Sequence, residues 1–124
     1  DVHVLRDPTR GGLASTLNEI ARSSNTGMYI DENLIPVKEE VKGVCEILGL
    51  DPLYIANEGK LVVIVPGNAA GKALDILLSH PLGRQAAIIG TVTSDHPGMV
   101  RMKTSIGTNR IVDMISGEQL PRIC

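Results

Sequence analysis

Leu61-Val62-Val63-Ile64-Val65 is the most restrictive stretch of this chain: five apolar residues in a row, four of them β-branched. Such side chains are stiff at χ1 and pack well on a pleated surface. An apolar run without alternation reads as a strand covered on both faces, and therefore as the centre of a sheet. Around it the hydrophobic period changes repeatedly. Residues 2–5 read as a short strand. Leu13, Leu17, Ile20 and Ala21 recur at helical spacing and predict a helix over 11–23, with Thr9 as its N-cap. Met28-Tyr29-Ile30 is a short strand. Pro36 opens a helix over 37–49, with Val37, Val41, Val44, Cys45 and Leu48 on one face, Lys38, Glu39, Lys42 and Glu46 on the other, and Gly49 at its end. Ala70, Ala73, Leu74, Leu77 and Leu78 predict a third helix over 68–79. Ala86–Thr93 reads as a second apolar strand, buried over Ile88–Val92. Met99–Thr104 alternates, with Arg101 and Lys103 facing water, and Ile106-Gly107-Thr108-Asn109 turns the chain into a last strand, Arg110–Ile115. Helices alternate with strands first and a hairpin follows. The expected fold class is therefore α+β, a layered domain with a mixed β-sheet packed by helices.

With no Trp and no Phe, the core has to be built from Val, Ile, Leu, Ala and Met. The 124 residues are one domain's worth, and 43% hydrophobic with 21% charged residues describes a soluble globular domain with a core of its own. A net charge of −2 argues against nucleic acid or an anionic membrane as the main partner. No apolar run approaches the roughly 18 residues of a membrane span, and the start carries no signal-peptide pattern. The opening strand is already under way at Asp1, so the chain reads as a domain cut from a longer protein, with part of the chemistry expected outside it. Cys45, on an apolar helix face, is expected to be an inert core thiol. A disulfide to Cys124 is the other reading. A reducing cytoplasm fits the unpaired form.

Three segments carry candidate chemistry. In Arg6-Asp7-Pro8-Thr9-Arg10-Gly11-Gly12-Leu13, two glycines stand at a helix mouth, where unpaired N–H groups and the dipole favour an anion. Arg6, Thr9 and Arg10 add donors, and Gly11 and Gly12 let an anion approach the backbone. The competing reading is a tight strand-to-helix turn with surface arginines. In Asn57-Glu58-Gly59-Lys60, a carboxylate at the lip of the apolar strand is placed to act as a general base if partly desolvated, and Asn57 to orient a substrate amide or carboxyl. The competing reading is a solvated polar turn. Third, residues 116–124 show no helical or strand period and read as a flexible arm, distinct from a domain over 1–115. The arm ends in Pro121-Arg122-Ile123-Cys124, so a terminal thiol with a cationic neighbour is placed to carry a small reactive group; a frayed end is the bland reading. His3, His80 and His96 lie far apart at no ligand spacing, and no metal site is expected.

Together, Arg6–Ala14, Ala56-Asn57-Glu58-Gly59-Lys60-Leu61 and the terminal Pro121-Arg122-Ile123-Cys124 resemble the HypE family of hydrogenase maturation factors, specifically its C-terminal domain, from the first residue to the last. The domain is similar to the C-terminal half of aminoimidazole ribonucleotide synthetase. The resemblance implies that Cys124 receives a carbamoyl group from HypF, that ATP with Mg drives its dehydration to a thiocyanate, and that the cyano group passes to iron on the HypC–HypD complex as a cyanide ligand of a [NiFe]-hydrogenase. It makes Cys124 and Glu58 catalytic, Asn57 substrate-orienting, and Arg6, Thr9, Arg10, Gly11 and Gly12 phosphate-binding. It also implies a homodimer through an N-terminal ATP-binding domain that this chain lacks, so the domain alone is expected to be inactive and without bound ligand. Two other readings stand beside it: a phosphate- or nucleotide-binding domain of a related ATP-dependent synthetase acting on a free small molecule, and a docking module that only presents its tail.

Overall fold

A computed structural model describes residues 3–6, 8, 11–55 and 60–113. Along them run β1 (Val4–Arg6), α1 (Gly12–Ser24), β2 (Gly27–Asp31), α2 (Glu39–Leu48), β3 (Val62–Ile64), α3 (Ala70–Ser79), β4 (Gly90–Thr93), β5 (Val100–Lys103) and β6 (Asn109–Ile111). Short 3₁₀ turns occur at Glu32–Leu34, Pro52–Tyr54, Gly67–Ala69 and Pro81–Gly83. The main sheet has the order β4-β2-β5-β6. Within it β2 runs parallel to β5 and antiparallel to β4, while β5 and β6 form an antiparallel hairpin. The sheet is mixed and the class is α+β, as the pattern predicts.

The core lies between this sheet and α1. Met28 and Ile30 from β2 and Val100 and Met102 from β5 point to one face and are buried against Ala14, Leu17, Ile20 and Ala21 of α1. Burying each large side chain in this layer contributes about 1.5–3 kcal/mol. Tyr29 and Arg101 alternate to the opposite face, where the Arg101 guanidinium sits 5.2 Å from the Tyr29 ring centroid. Arg101 is thus half-buried, whereas Lys103 faces water as expected. Helix α1 is buried nearly all round, which its small residues Gly12, Ala14, Ser15 and Ala21 permit. Its buried Asn18 is satisfied by donating to the Ala14 and Val112 carbonyls, each at 2.8 Å.

Several expectations are corrected. The apolar run Leu61–Val65 is not the sheet centre. Val62–Ile64 pairs with β1 in a separate two-stranded antiparallel ladder and is half-buried, with Leu61 56% exposed. An apolar run shows that both faces tolerate burial; the supply of neighbouring strands is tertiary. The interior strands are β2 and β5. The second apolar stretch becomes a strand only from Gly90, at the sheet edge, with Ile88 and Val92 exposed rather than buried. Helix α1 is capped by Gly11 in the left-handed region (φ 73°), not by Thr9. Helix α2 starts at Glu39, because Lys38 before it is still extended. Cys45 is buried and free, but it is the single buried residue of α2: Val41, Val44 and Leu48 on the same face are exposed. Helix α3 buries no residue. Among the described residues, no helix is long and apolar enough to cross a membrane.

Candidate functional site

The turn Pro52–Tyr54 packs against α1 and is joined by the end of β6. Asp51 starts it: its Oδ1 accepts from the Leu53 amide at 3.0 Å, and Pro52 supplies a preset φ at the first position. Leu53 is buried in the core cluster and fixes the turn against α1. The contact is backbone to backbone. Gly12 has φ +66°, and a Cβ there would lie 2.6 Å from the Leu53 carbonyl oxygen and closer still to that of Ile55. The glycine at the helix mouth is therefore required for helix-to-loop packing, a reason the sequence reading did not contain.

From Ile55 the chain enters Ala56-Asn57-Glu58-Gly59, and it returns at Lys60 on the way into β3. There Val62 stands opposite Arg6, the last residue of β1. Ile55 thus lies against Gly12, and Val62 lies opposite Arg6. Arg6 itself donates to Glu19 Oε2 at 2.7 Å, with both side chains partly exposed. Its guanidinium is engaged by a carboxylate on α1.

The end of β6 reaches the same turn. The Arg110 guanidinium donates to Asp51 Oδ2 at 2.6 Å, and the Tyr54 hydroxyl donates to the Asp113 carbonyl at 2.7 Å. Asn18 holds the Val112 carbonyl from the α1 side, while the Val112 amide donates to Val100 at 2.8 Å. Residues 112 and 113 are therefore pinned between α1, β5 and the 51–54 turn, immediately before residue 114. Partial burial pushes the Tyr54 phenol above its ordinary pKa; the Asp51 and Asp113 carboxylates push the same way, and Arg110 opposes them.

Of the candidate residues, Arg6, Gly11 and Gly12 are described, Arg6 at the end of β1 and the two glycines at the start of α1. Thr9, Arg10, Asn57, Glu58 and Cys124 lie outside the described residues, as do 116–124 as a whole. Sequence reasoning missed Asn18, Asp51, Tyr54 and Arg110. Asp51-Pro52 carried a legible turn signal, but nothing local marks a hydroxyl or guanidinium whose partner is 59 residues away. His80 ends α3 with Nδ1 accepting from the Leu82 amide at 3.1 Å. Among the described residues no group of three or more His, Cys, Asp or Glu is placed to hold a metal ion.

Known proteins resemble this arrangement along the whole chain. A family model described as AIR synthase related protein, C-terminal domain, matches residues 1–103. The chain is 57% identical over 124 residues to the carbamoyl dehydratase HypE of Azotobacter vinelandii, covering all of this chain and 36% of that protein. It superposes on a crystal structure of the hydrogenase maturation protein HypE in complex with ATP with a TM-score of 0.92 at 52% identity, over 100% of this chain and 38% of that one. For a HypE–HypF complex the TM-score is 0.87 at 50% identity, over 92% and 37%. The chain spans just over a third of the length of the relatives it matches.

Proposed function

Because this chain belongs to the AIR synthase related protein C-terminal domain family, we propose that it is the tail-bearing part of an ATP-dependent carbamoyl dehydratase of hydrogenase maturation. The observation that carries this reading is the packing of the 51–55 turn, where the Leu53 and Ile55 backbone lies against Gly12 at the start of α1 and the Tyr54 hydroxyl holds the Asp113 carbonyl. The eleven residues 114–124 extend to at most roughly 36–40 Å. That length is enough to span from Asp113 past its partner Tyr54, which precedes Glu58 by four residues.

In this reading Cys124 takes a carbamoyl group from HypF, forming a thiocarboxamide. ATP, with Mg, supplies a γ-phosphoryl group that turns the amide oxygen into a leaving group. Its binding rests largely on the part of the longer protein beyond this chain, where the homodimer also forms. Within the chain, Arg6 is engaged by Glu19 and Gly12 by the Leu53 and Ile55 backbone. The phosphate is assigned to Arg6, Thr9, Arg10, Gly11 and Gly12, around the Gly11 end of α1, which no side chain caps among the described residues. Glu58 removes the amide protons while Asn57 orients the group. The C–O bond breaks, the C≡N bond forms, and the products are a thiocyanate, ADP, phosphate carrying the former amide oxygen, and a proton. The cyano group then passes to iron on HypC–HypD, in a reducing cytoplasm. The tail makes the step effectively intramolecular, which raises local concentration without new contacts.

Glu58→Gln and Cys124→Ala in the full-length protein test this. Glu58→Gln keeps size and hydrogen bonding and should leave the thiocarboxamide to accumulate on Cys124, slowing its dehydration on the order of 100- to 10,000-fold. Cys124→Ala should abolish both carbamoylation and cyanide formation, followed by mass spectrometry of the intact protein. A Cys124→Ala protein that still matures hydrogenase would overturn the reading.

A further inference from the structure

The strand that enters the first motif and the helix that leaves it are joined by one side-chain bond. Arg6, the last residue of β1, donates through Nη2 to Glu19 Oε2 on α1 at 2.7 Å. We infer that Glu19 is a positioning residue for ATP, holding the Arg6 guanidinium in one pose with its remaining N–H groups open to a phosphate. This rests on the proposed function, which assigns Arg6 to the phosphate; the new content is Glu19 and its action through Arg6.

Both ends of the bond stand on fixed backbone. Arg6 is in ladder register opposite Val62, and α1 buries eight residues. What is left to move is the Arg6 side chain, and a long side chain that must be ordered when it meets a ligand weakens binding. Among the described residues Glu19 is the hydrogen-bond partner of that guanidinium, so removing the carboxylate releases it. The contact is made at a single nitrogen. A guanidinium carries five N–H donors in a planar fork, so one bond to a carboxylate leaves the others available. The two side chains are 42% and 47% exposed, which leaves the guanidinium within reach of a ligand from solvent. Exposed pairs of this kind add little to stability, so ordering Arg6 is the larger consequence. The place of the acid matters as well. The first turn of α1 holds no acidic residue. Glu19 comes seven residues after Gly12, about 10 Å along the helix axis. Its charge is thus kept off the helix mouth, and its influence on a bound phosphate passes through Arg6.

A double-mutant cycle in the full-length protein tests this. The dissociation constant of MgATP, with kcat and KM for ATP, is measured for Arg6→Ala, Glu19→Ala, Glu19→Gln and Arg6→Ala with Glu19→Ala. Ala is the best helix former at an exposed helix position. Should Glu19→Ala nevertheless fail to fold, Glu19→Met, similar in length and without an acceptor, is read in its place. Glu19→Ala should weaken MgATP binding about 3- to 10-fold, with the loss in KM for ATP rather than in kcat. Glu19→Gln keeps an oxygen acceptor at the same reach and should recover most of that loss. In the Arg6→Ala background Glu19→Ala should have no further effect, since the group it acts through is gone. Suppose Arg6→Ala weakens binding, but Glu19→Ala binds MgATP as tightly as the unsubstituted protein, or more tightly. That result overturns the positioning role and leaves the functional reading standing. Equal Glu19→Ala losses in the two backgrounds overturn it too, as does a Glu19→Gln protein as weak as Glu19→Ala. An Arg6→Ala protein with unchanged MgATP binding removes Arg6 from the phosphate site, and the inference with it.

Discussion

Gly12 carries two separate constraints, and they add. Its φ of +66° costs any L-residue about 1–2 kcal/mol. A Cβ there also drives into the backbone oxygens of Leu53 and Ile55, which no rotamer change relieves, for typically a further 1–3 kcal/mol. Gly12→Ala should therefore destabilise the domain by about 2–5 kcal/mol in urea unfolding. Gly43, inside α2 with nothing within 4 Å and no positive φ, is the control. Gly43→Ala should stabilise by about 0.5–1 kcal/mol through helix propensity. Equal effects at the two positions would contradict the packing described here. The same logic separates the two glycines of the first motif. Gly12 is held by a neighbouring backbone, whereas Gly11 is the left-handed cap of α1.

Elements differ in how much holds them. Helix α1 buries eight residues and is tied by Asn18 to the end of the chain's described part; α2 buries only Cys45, and α3 buries none. Local opening is easiest where few apolar contacts must be broken. Amides of α1, β2 and β5 should exchange with solvent only through global unfolding, while those of α3 and then α2 exchange through cheaper partial openings. Native hydrogen exchange at low denaturant gives the order. Cys45 offers a second readout. At 3% exposure its thiol is closed to reagent in the folded state, so labelling should follow the opening of α2 and run ahead of global unfolding. Labelling of Cys45 at the rate of an unfolded thiol would show that α2 is not docked. Protection in α3 equal to that in α1 would show that its exposed face is covered.

At the scale of the whole molecule, the 51–54 turn links folding to pH. Burial, with Asp51 and Asp113 nearby, raises the Tyr54 pKa above its ordinary value of about 10. The folded state therefore holds the phenolic proton more tightly than the unfolded chain does. The stabilisation is fully present below about pH 10 and is lost as pH rises from there through the higher folded value. Deprotonation also removes the donor that reaches the Asp113 carbonyl. The unfolding midpoint should fall more steeply above about pH 10 in the unsubstituted protein than in Tyr54→Phe, and the two should run parallel at neutral pH. Identical alkaline slopes would remove Tyr54 as the linked group.

Local rules were enough for much of this protein. Helical spacing located α1, α2 and α3 to within two residues at either end, because an amphipathic period is a property of neighbours in sequence. Alternation in Met99–Thr104 put Val100 and Met102 inward, and the succession of helices, strands and a hairpin gave a mixed α+β sheet. The motifs Arg6–Gly12, Asn57-Glu58 and Cys124 stood out as candidates because charge, glycine and thiol are local facts. Only the tertiary structure decided which strands lie inside. Leu61–Val65 is the more apolar, yet Met28 and Val100 hold the centre, since strand position depends on which segments return to pair. It also decided that Gly12 serves packing and that Arg6 is engaged by Glu19. Finally, it tied Asp51 to Arg110 and Tyr54 to Asp113 across 59 residues. Such pairs leave no periodic trace, because a hydrogen bond depends on distance in space, and sequence separation enters only through the chain entropy of closing the loop.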